Sequence, residues 1–166
     1  MSRLVLDETL MDSVIEGTIK GLEMTGIEPK PIGASSYLSA QRTYSVLVSL
    51  YGRRSGTLTL NFTDHAVRFL VAEMLGEDMA DELDDESFDA LCEIGNIVAG
   101  SIKTVLQNSE FQFDNISLPA LIVGSNYGLY QLKGITTVAV EFQIEEIGVA
   151  HLKDRYFTAA ISMMEI

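Results

Sequence analysis

Three segments of the chain carry apolar side chains at the three- and four-residue spacing of an amphipathic helix. In the first segment, Leu10, Val14 and Leu22 fall on one face, while acidic and basic side chains occupy the opposite face. Residues that favour helix ends bound two of the patterns: Gly26 follows the first, and the second lies between a cap at Thr63 or Asp64 and a stop at Gly76. The three predicted helices span Asp7 to about Met24, a short segment from Thr63 or Asp64 to Gly76, and about Ser87 to Asn108.

In segments between and after these helices, apolar and polar residues alternate, as they do in strands that bury one face. Alternation from Tyr44 to Leu50 and from Thr57 to Phe62, joined by a glycine-bounded turn, predicts an antiparallel hairpin. Pro29 and Pro31 favour extended chain before it. The later predicted strands are Leu118 to Val123, Thr136 to Ile144, Val149 to Lys153 and Phe157 to Met164. The pattern predicts an α+β layered fold, with about three helices on a largely antiparallel sheet, and 166 residues suit a single domain.

The charge of the chain excludes several classes of partner. Eleven Lys and Arg against 24 Asp and Glu give a formal charge of −13, which disfavours nucleic acid and anionic membrane surfaces. No apolar stretch of about 20 residues is present to form a transmembrane helix, and the first residues lack the pattern of a secretory signal. We therefore expect a cytoplasmic protein without membrane or nucleic-acid partners.

A strongly acidic segment precedes the third helix. Seven of the ten residues from Glu77 to Glu86 are acidic. A calcium-binding loop of the EF-hand type needs a glycine at its sixth position, which this segment lacks. We expect solvated carboxylates that complement the partial positive charge at the start of the third helix.

The sequence lacks the motifs of the common enzyme classes. It contains no Walker A loop, no GxGxxG, no HExxH and no GxSxG. His65, at a helix start, and His151, in a predicted strand, are isolated in sequence, so we expect structural or surface roles and no metal site. Cys92 belongs to an apolar helical stripe and is the only cysteine, so we expect a buried small side chain rather than a nucleophile.

The polar face of the third helix is the exception. Its residues lie at offsets of 4, 7, 11 and 14 from the first and share one side of the helix: Asp89, Glu93, Asn96, Gly100 and Lys103. Gly95 and Gly100 are unusual in a helix interior, where each costs about 1 kcal/mol relative to Ala. Two interpretations stay open: the glycines let another backbone approach this face, or they relieve packing inside the protein.

These residues resemble a known signature. Asp89, Glu93 and Asn96, followed after 22 residues by Pro119, look like the signature of the CheC/CheX/FliY group of chemotaxis phosphatases. The sequence around Glu93 and Asn96 is similar to the CheX type in particular. CheC-type members carry the signature twice, on two related helices.

Only one half of this chain carries the full signature. The first helix offers Asp12 and Glu16, but Ile19 stands where Asn is required and Arg42 where Pro is required. One complete and one degenerate half resembles the single-site CheX type.

The resemblance implies a fold and a reaction. It implies a CheC-like fold with an internal pseudo-repeat and a single CheX-like phosphatase domain over residues 1–166. It also implies hydrolysis of the aspartyl phosphate on a phosphorylated CheY-like response regulator, with Mg²⁺ held by the regulator and no cofactor of the protein's own.

The resemblance also implies roles for the residues of the polar face. Asn96 would orient the attacking water, and Glu93 would pair with the regulator's active-site lysine rather than act as a general base. Asp89, Gly100 and Lys103 are expected to contact the partner, and Pro119 to shape the strand that follows it.

Two alternative functions stay open, and a homodimer is expected. The protein is alternatively a non-catalytic binding module that sequesters a phosphorylated regulator or joins a motor complex; an unrelated hydrolase with paired carboxylates is a distant option. The family suggests a homodimer formed through sheet edges, and we expect an uncovered apolar strand such as Phe157 to Ile166 to favour it.

Overall fold

The structure, a computed structural model, describes residues 5–129 and 132–165. Within those residues the helices are α1 (Glu8–Leu22), α2 (Asp64–Leu75) and α3 (Asp85–Val105). The strands of the same residues are β1 (Lys30–Ser35), β2 (Ser39–Ala40), β3 (Tyr44–Tyr51), β4 (Gly56–Phe62), β5 (Asn115–Ile116), β6 (Ala120–Val123), β7 (Tyr127–Gly128), β8 (Ile135–Gln143) and β9 (Tyr156–Met164). Short 3₁₀ turns occupy Glu23–Thr25 and Val149–Arg155.

In the part of the chain that the structure describes, the strands form one large sheet and one small ribbon, and every pairing is antiparallel. In the large sheet the strand order is β1-β8-β9-β4-β3, and both β5 and β6 pair with the far side of β3. The ribbon is formed by β2 and β7. The structure confirms the predicted α+β fold and the predicted hairpin, which is β3 and β4.

The sheet contains an internal pseudo-repeat. One half of the chain supplies α1, β1, β3 and β4, and the other supplies α3, β6, β8 and β9 in the same order. In this correspondence β1 matches β6, β3 matches β8, and β4 matches β9. The pairing of β1 with β8 then corresponds to the pairing of β6 with β3, and the pairing of β3 with β4 to that of β8 with β9. The pair of β4 with β9 lies at the centre of this arrangement. The predicted pseudo-repeat is therefore confirmed.

The alternation in the strands separates two layers of side chains. Val46 and Val48 of β3, like the alternate residues of the neighbouring strands, face the helices and join one large apolar core. The opposite face is partly polar, and the buried Asn61 amide there donates to the Arg42 carbonyl oxygen at 2.9 Å and to Ser45 Oγ at 2.8 Å. A small cluster containing Leu38 covers part of this second face.

The helix ends lie close to where the sequence predicts them. Thr63 Oγ1 caps α2 by accepting a hydrogen bond from the Ala66 N–H at 3.2 Å. Gly26 and Gly76 adopt left-handed φ angles of 73° and 67°, which a glycine adopts without steric strain. The third helix begins earlier than expected, at Asp85, because Asp84 caps it, and it ends earlier than expected, at Val105.

The segment before β9 differs from the sequence prediction. His151 and its neighbours were predicted to form a strand, but Val149–Arg155 is a 3₁₀ segment with a kink at His151 (φ −113°, ψ 48°). Its side chains are largely exposed, so alternation of apolar and polar residues there does not reflect a buried face. The Arg155 guanidinium donates to the Glu145 carbonyl oxygen at 2.7 Å and so links the two ends of the connection between β8 and β9.

The prediction of an uncovered strand at the end of the chain is also wrong. β9 is hydrogen-bonded to β8 on one side and to β4 on the other, so it is a central strand and offers no free edge. Its apolar side chains are explained by burial inside this sheet. Ile166, the last residue of that prediction, lies outside the described residues.

A close approach of two helices holds the core together. Gly17 and Gly21 of α1 face α3, where an added Cβ at Gly21 would lie 2.8 Å from the Val98 Cα atom. A Cβ at Gly17 would lie 2.9 Å from the backbone nitrogen of Ile102. Because backbone atoms cannot rotate away like a side chain, the helices meet at this distance only if these two residues are glycine.

The glycine contact yields a prediction about stability. Gly21→Ala should lower the free energy of unfolding by about 1–3 kcal/mol, because overpacking against α3 outweighs the higher helix propensity of Ala. Gly100→Ala is the matched control: it also lies within a helix, but its Cβ meets no atom within 4 Å. It should raise the free energy of unfolding by roughly 0.5–1 kcal/mol. Urea unfolding followed by circular dichroism measures both, and equal effects would refute the steric explanation.

Candidate functional site

The start of α3 is fixed by its capping residue. The Asp84 carboxylate accepts hydrogen bonds from the Ser87 backbone N–H at 2.9 Å and from Ser87 Oγ at 2.8 Å. These hydrogen bonds lower the pKa of Asp84, so the cap is charged at neutral pH. Asp85 and Glu86 add negative charge to the first turn, and Lys103 adds positive charge to the last. The charges complement the helix dipole, as predicted for the acidic segment.

The inner face of α3 rests on β3. Its buried residues Leu91, Ile94 and Val98 join the main core. A Cβ at Gly95 would lie 2.5 Å from Cγ1 of Val46, so this glycine allows the helix to approach its own sheet. For Gly95 the interpretation as internal packing is therefore correct. Gly100 faces open space instead, so its backbone is accessible from outside.

The outer face of α3 presents the predicted polar residues together. Asp89, Glu93 and Lys103 are exposed, and Asn96 and Gly100 are half-buried. Within residues 5–129 and 132–165, neither the Glu93 carboxylate nor the Asn96 amide makes a hydrogen bond or ion pair with the rest of the protein. Both groups are thus available to a molecule that docks on this face.

A groove adjoins the C-terminal half of this face. Gly100 and Lys103 line it together with Thr104, Gln107 and Asp114. The Thr104 hydroxyl donates to the Gly100 carbonyl oxygen at 3.2 Å. The structure thus brings two of the predicted partner-binding residues into one concave surface with polar walls.

Pro119 lies at an interruption of the sheet edge. It separates β5 from β6, which pair with different parts of β3. In the interruption, Ser117 Oγ accepts a hydrogen bond from the Ser49 N–H at 2.9 Å. Because proline has no N–H to donate, it fits an interrupted edge strand. The side chain of the preceding Leu118 is 90% exposed.

Cys92 is half-buried, and not fully buried as predicted. Burial raises the pKa of its thiol, and the carboxylate of Asp89 raises it further. A thiol whose pKa is raised stays protonated at neutral pH and is a poor nucleophile. The prediction that Cys92 has no nucleophilic role is consistent with this environment.

The two histidines are not isolated in space. The rings of His65 and His151 stack with their centroids 3.9 Å apart, and Asp154 lies beside them. This cluster could not be predicted from local sequence because the two histidines are far apart along the chain. The only local signal was the spacing of three residues between His151 and Asp154.

With this geometry established, comparison with known proteins identifies the family. Residues 44–143, more than half of the chain, match the family described as "Chemotaxis phosphatase CheX". The chain belongs to this family. A relative named "CheY-P phosphatase CheX" from Thermotoga maritima is 26% identical over 145 residues, which cover 86% of this chain and 91% of the relative.

Solved structures share the fold. A CheC-like superfamily protein from Shewanella sp. PV-4 superposes with a TM-score of 0.78 at 18% identity, covering 95% of this chain and 99% of that one. CheX in a CheX–CheY–BeF3–Mg²⁺ complex from Borrelia burgdorferi superposes with a TM-score of 0.73 at 23% identity, covering 97% of this chain and 100% of that one. These likenesses confirm the predicted CheC-like fold.

The counterpart of the α3 face on α1 is incomplete. Asp12 and Glu16 are exposed there, like Asp89 and Glu93 on α3. Ile19, the counterpart of Asn96, is half-buried and packs against the main core. The α1 face of this CheX-family chain therefore carries carboxylates without an amide.

No helix among the described residues combines the length and apolar character that crossing a membrane requires.

Proposed function

We propose that this protein accelerates hydrolysis of the aspartyl phosphate on a CheY-like response regulator. The observation that carries the proposal is the pair of Glu93 and Asn96 on the outer face of α3, which have no hydrogen-bond or ion-pair partner among the described residues, in a chain of the CheX family. Support comes from the Thermotoga maritima relative, which is named for this substrate, and from the Borrelia burgdorferi complex of CheX with CheY.

Asn96 orients the attacking water in this proposal. Phosphoryl transfer leaves little covalent chemistry to a protein, and positioning with charge stabilisation supplies most of the acceleration. The Asn96 amide both donates and accepts hydrogen bonds, so it holds one water in a defined direction. Asn96 is half-buried, so part of its side chain is accessible to a docked phosphoryl group.

Glu93 fixes the position of the regulator. It lies one helical turn before Asn96 on the same face, so both reach the same docked surface. Its exposed carboxylate pairs with the regulator's active-site lysine through a charge-assisted hydrogen bond. The Mg²⁺ is the one that the regulator holds, so the protein contributes no cofactor of its own. Asp89, Gly100 and Lys103 extend the contact along α3, and Pro119 shapes the neighbouring edge.

Recognition in this proposal is local rather than guided by net charge. A chain with a formal charge of −13 gains little long-range attraction from a partner unless that partner is basic. The face itself is mixed, with carboxylates at Asp89 and Glu93 and an ammonium group at Lys103. Such a pattern favours one register of docking over others.

Loss of the Asn96 amide should slow the reaction. Asn96→Ala should reduce the stimulated rate of dephosphorylation by about 10²-fold or more, equivalent to roughly 2.7 kcal/mol in activation free energy, because the water loses its orientation. The measurement is phosphate release from a purified phosphorylated CheY-like regulator in the presence of Mg²⁺. The melting temperature should stay within a few degrees of wild type.

Glu16→Ala is the control for this experiment. It removes the exposed carboxylate of the degenerate α1 face and should leave the rate unchanged. A wild-type protein that binds the phosphorylated regulator without accelerating phosphate release would contradict the proposal. That result would favour the binding module that sequesters the regulator or joins a motor complex.

Loss of the Glu93 carboxylate should weaken docking of the regulator. Glu93→Ala should weaken binding of the phosphorylated regulator as well as lower the rate, because the charged partner of the regulator's lysine is lost. Titration calorimetry with a non-hydrolysable phosphoryl analogue on the regulator separates affinity from rate. Unchanged affinity alongside a lower rate would contradict the pairing, and Glu16→Ala again serves as the matched control.

We also propose that the protein is a cytoplasmic homodimer joined through a sheet edge. Among the described residues the free edges belong to β1 on one side and to β5 and β6 on the other. β1 carries Pro31 and a register shift before Gly33, both of which weaken an edge as a pairing surface. Val123 on β6 is an exposed apolar residue on the other edge.

Light scattering coupled to size-exclusion chromatography tests the dimer. The expected molar mass is twice the 18.2 kDa of one chain. Val123→Lys should shift the mass towards that of one chain if the β6 edge forms the contact, because a charged edge residue opposes strand pairing. The mass of a single chain for the wild-type protein would refute the dimer.

A further inference from the structure

The cluster of His65, His151 and Asp154 has the composition of a metal site. The two histidine rings are nearly parallel, at 14°, with centroids 3.9 Å apart. His151 Nδ1 lies 3.7 Å from the Asp154 carboxylate, and one ligand atom from each of the three residues lies within 4.8 Å of the others. We propose that these three side chains bind a divalent transition-metal ion of the zinc type.

The three ligands come from two packed elements. His65 lies in the first turn of α2, directly after Asp64. His151 and Asp154 lie in the 3₁₀ segment Val149–Arg155, where the kink at His151 interrupts the helical path of the backbone. The His151 N–H donates to the Gly148 carbonyl oxygen at 2.9 Å, which holds the kink. A bound ion would join this segment to the start of α2.

The donor set selects the kind of cation. Two imidazoles and one carboxylate suit zinc and neighbouring transition metals, whereas Mg²⁺ and Ca²⁺ prefer oxygen ligands alone. Three protein ligands leave the fourth tetrahedral position to water. Zinc holds such ligands at about 2.0–2.2 Å. Because the lone pair of an imidazole nitrogen lies in the plane of its ring, one of the two stacked rings must rotate out of the parallel arrangement before both can bind one ion. The exposure of His151, at 52% of its side chain, leaves room for that rotation.

The surrounding charges are compatible with a cation. Arg68, which lies in α2 three residues after His65, has its Nε atom 2.8 Å from the Asp64 carboxylate, so its charge is largely compensated. None of the three ligands belongs to the outer face of α3, so the metal site is independent of the proposed phosphatase activity.

Titration calorimetry of the tag-free protein with ZnCl₂ tests the site. The wild type should bind one Zn²⁺, and excess Zn²⁺ should raise the melting temperature by several degrees, because a ligand of the folded state stabilises it. His151→Gln and Asp154→Asn should each weaken Zn²⁺ binding by on the order of tenfold or more. MgCl₂ should produce no comparable binding. Because the chain has two histidines, their imidazole NMR signals should both shift on adding Zn²⁺.

Asp78→Asn is the matched control. It removes one carboxylate of the acidic segment between α2 and α3 and should leave Zn²⁺ binding unchanged. His151 is exposed, so its variant should fold, which circular dichroism checks. The proposal is overturned if the wild type does not bind Zn²⁺. It is also overturned if His151→Gln and Asp154→Asn bind Zn²⁺ as tightly as the wild type.

Discussion

The close contact of α1 with α3 is the constraint on which the rest of the structure depends. Gly17 and Gly21 allow the two helix backbones to approach, and Gly95 allows α3 to approach β3 on another side. These contacts fix both the position and the rotation of α3 about its axis. Since Glu93 and Asn96 lie on the remaining side, their direction is set by glycines that never touch a partner. The geometry of this surface is thus determined from inside the core.

The pseudo-repeat explains why one face is complete and its counterpart is not. Both helices keep exposed carboxylates at equivalent positions, so charge alone does not distinguish them. The difference lies at Asn96 and Ile19, where one side chain is a hydrogen-bonding amide and the other packs on the core. On α1 this position contributes apolar burial, whereas on α3 it presents a polar group to the surface.

Much of the fold was predictable because its signals are local. Capping at Thr63, the stop at Gly76 and the hairpin of β3 with β4 depend on residues close in sequence, as does the shared face of Glu93 and Asn96. The placement of β9 depends on pairing with β4, about a hundred residues earlier, and no local pattern reports that partner. The stacking of His65 on His151 and the role of Gly95 against Val46 are likewise contacts between distant segments.

The interleaved strand order has a consequence for how the chain reaches its native state. Each half of the repeat places its outer strand beside the other half, since β1 pairs with β8 and β6 with β3. Neither half can therefore complete its own sheet. The central pairing of β4 with β9 can form only after β9 has left the ribosome. Such a high proportion of long-range pairing favours slow folding. Residues 44–143 alone would lack α1, β1 and β9, and would expose the unpaired edge of β4 to other chains.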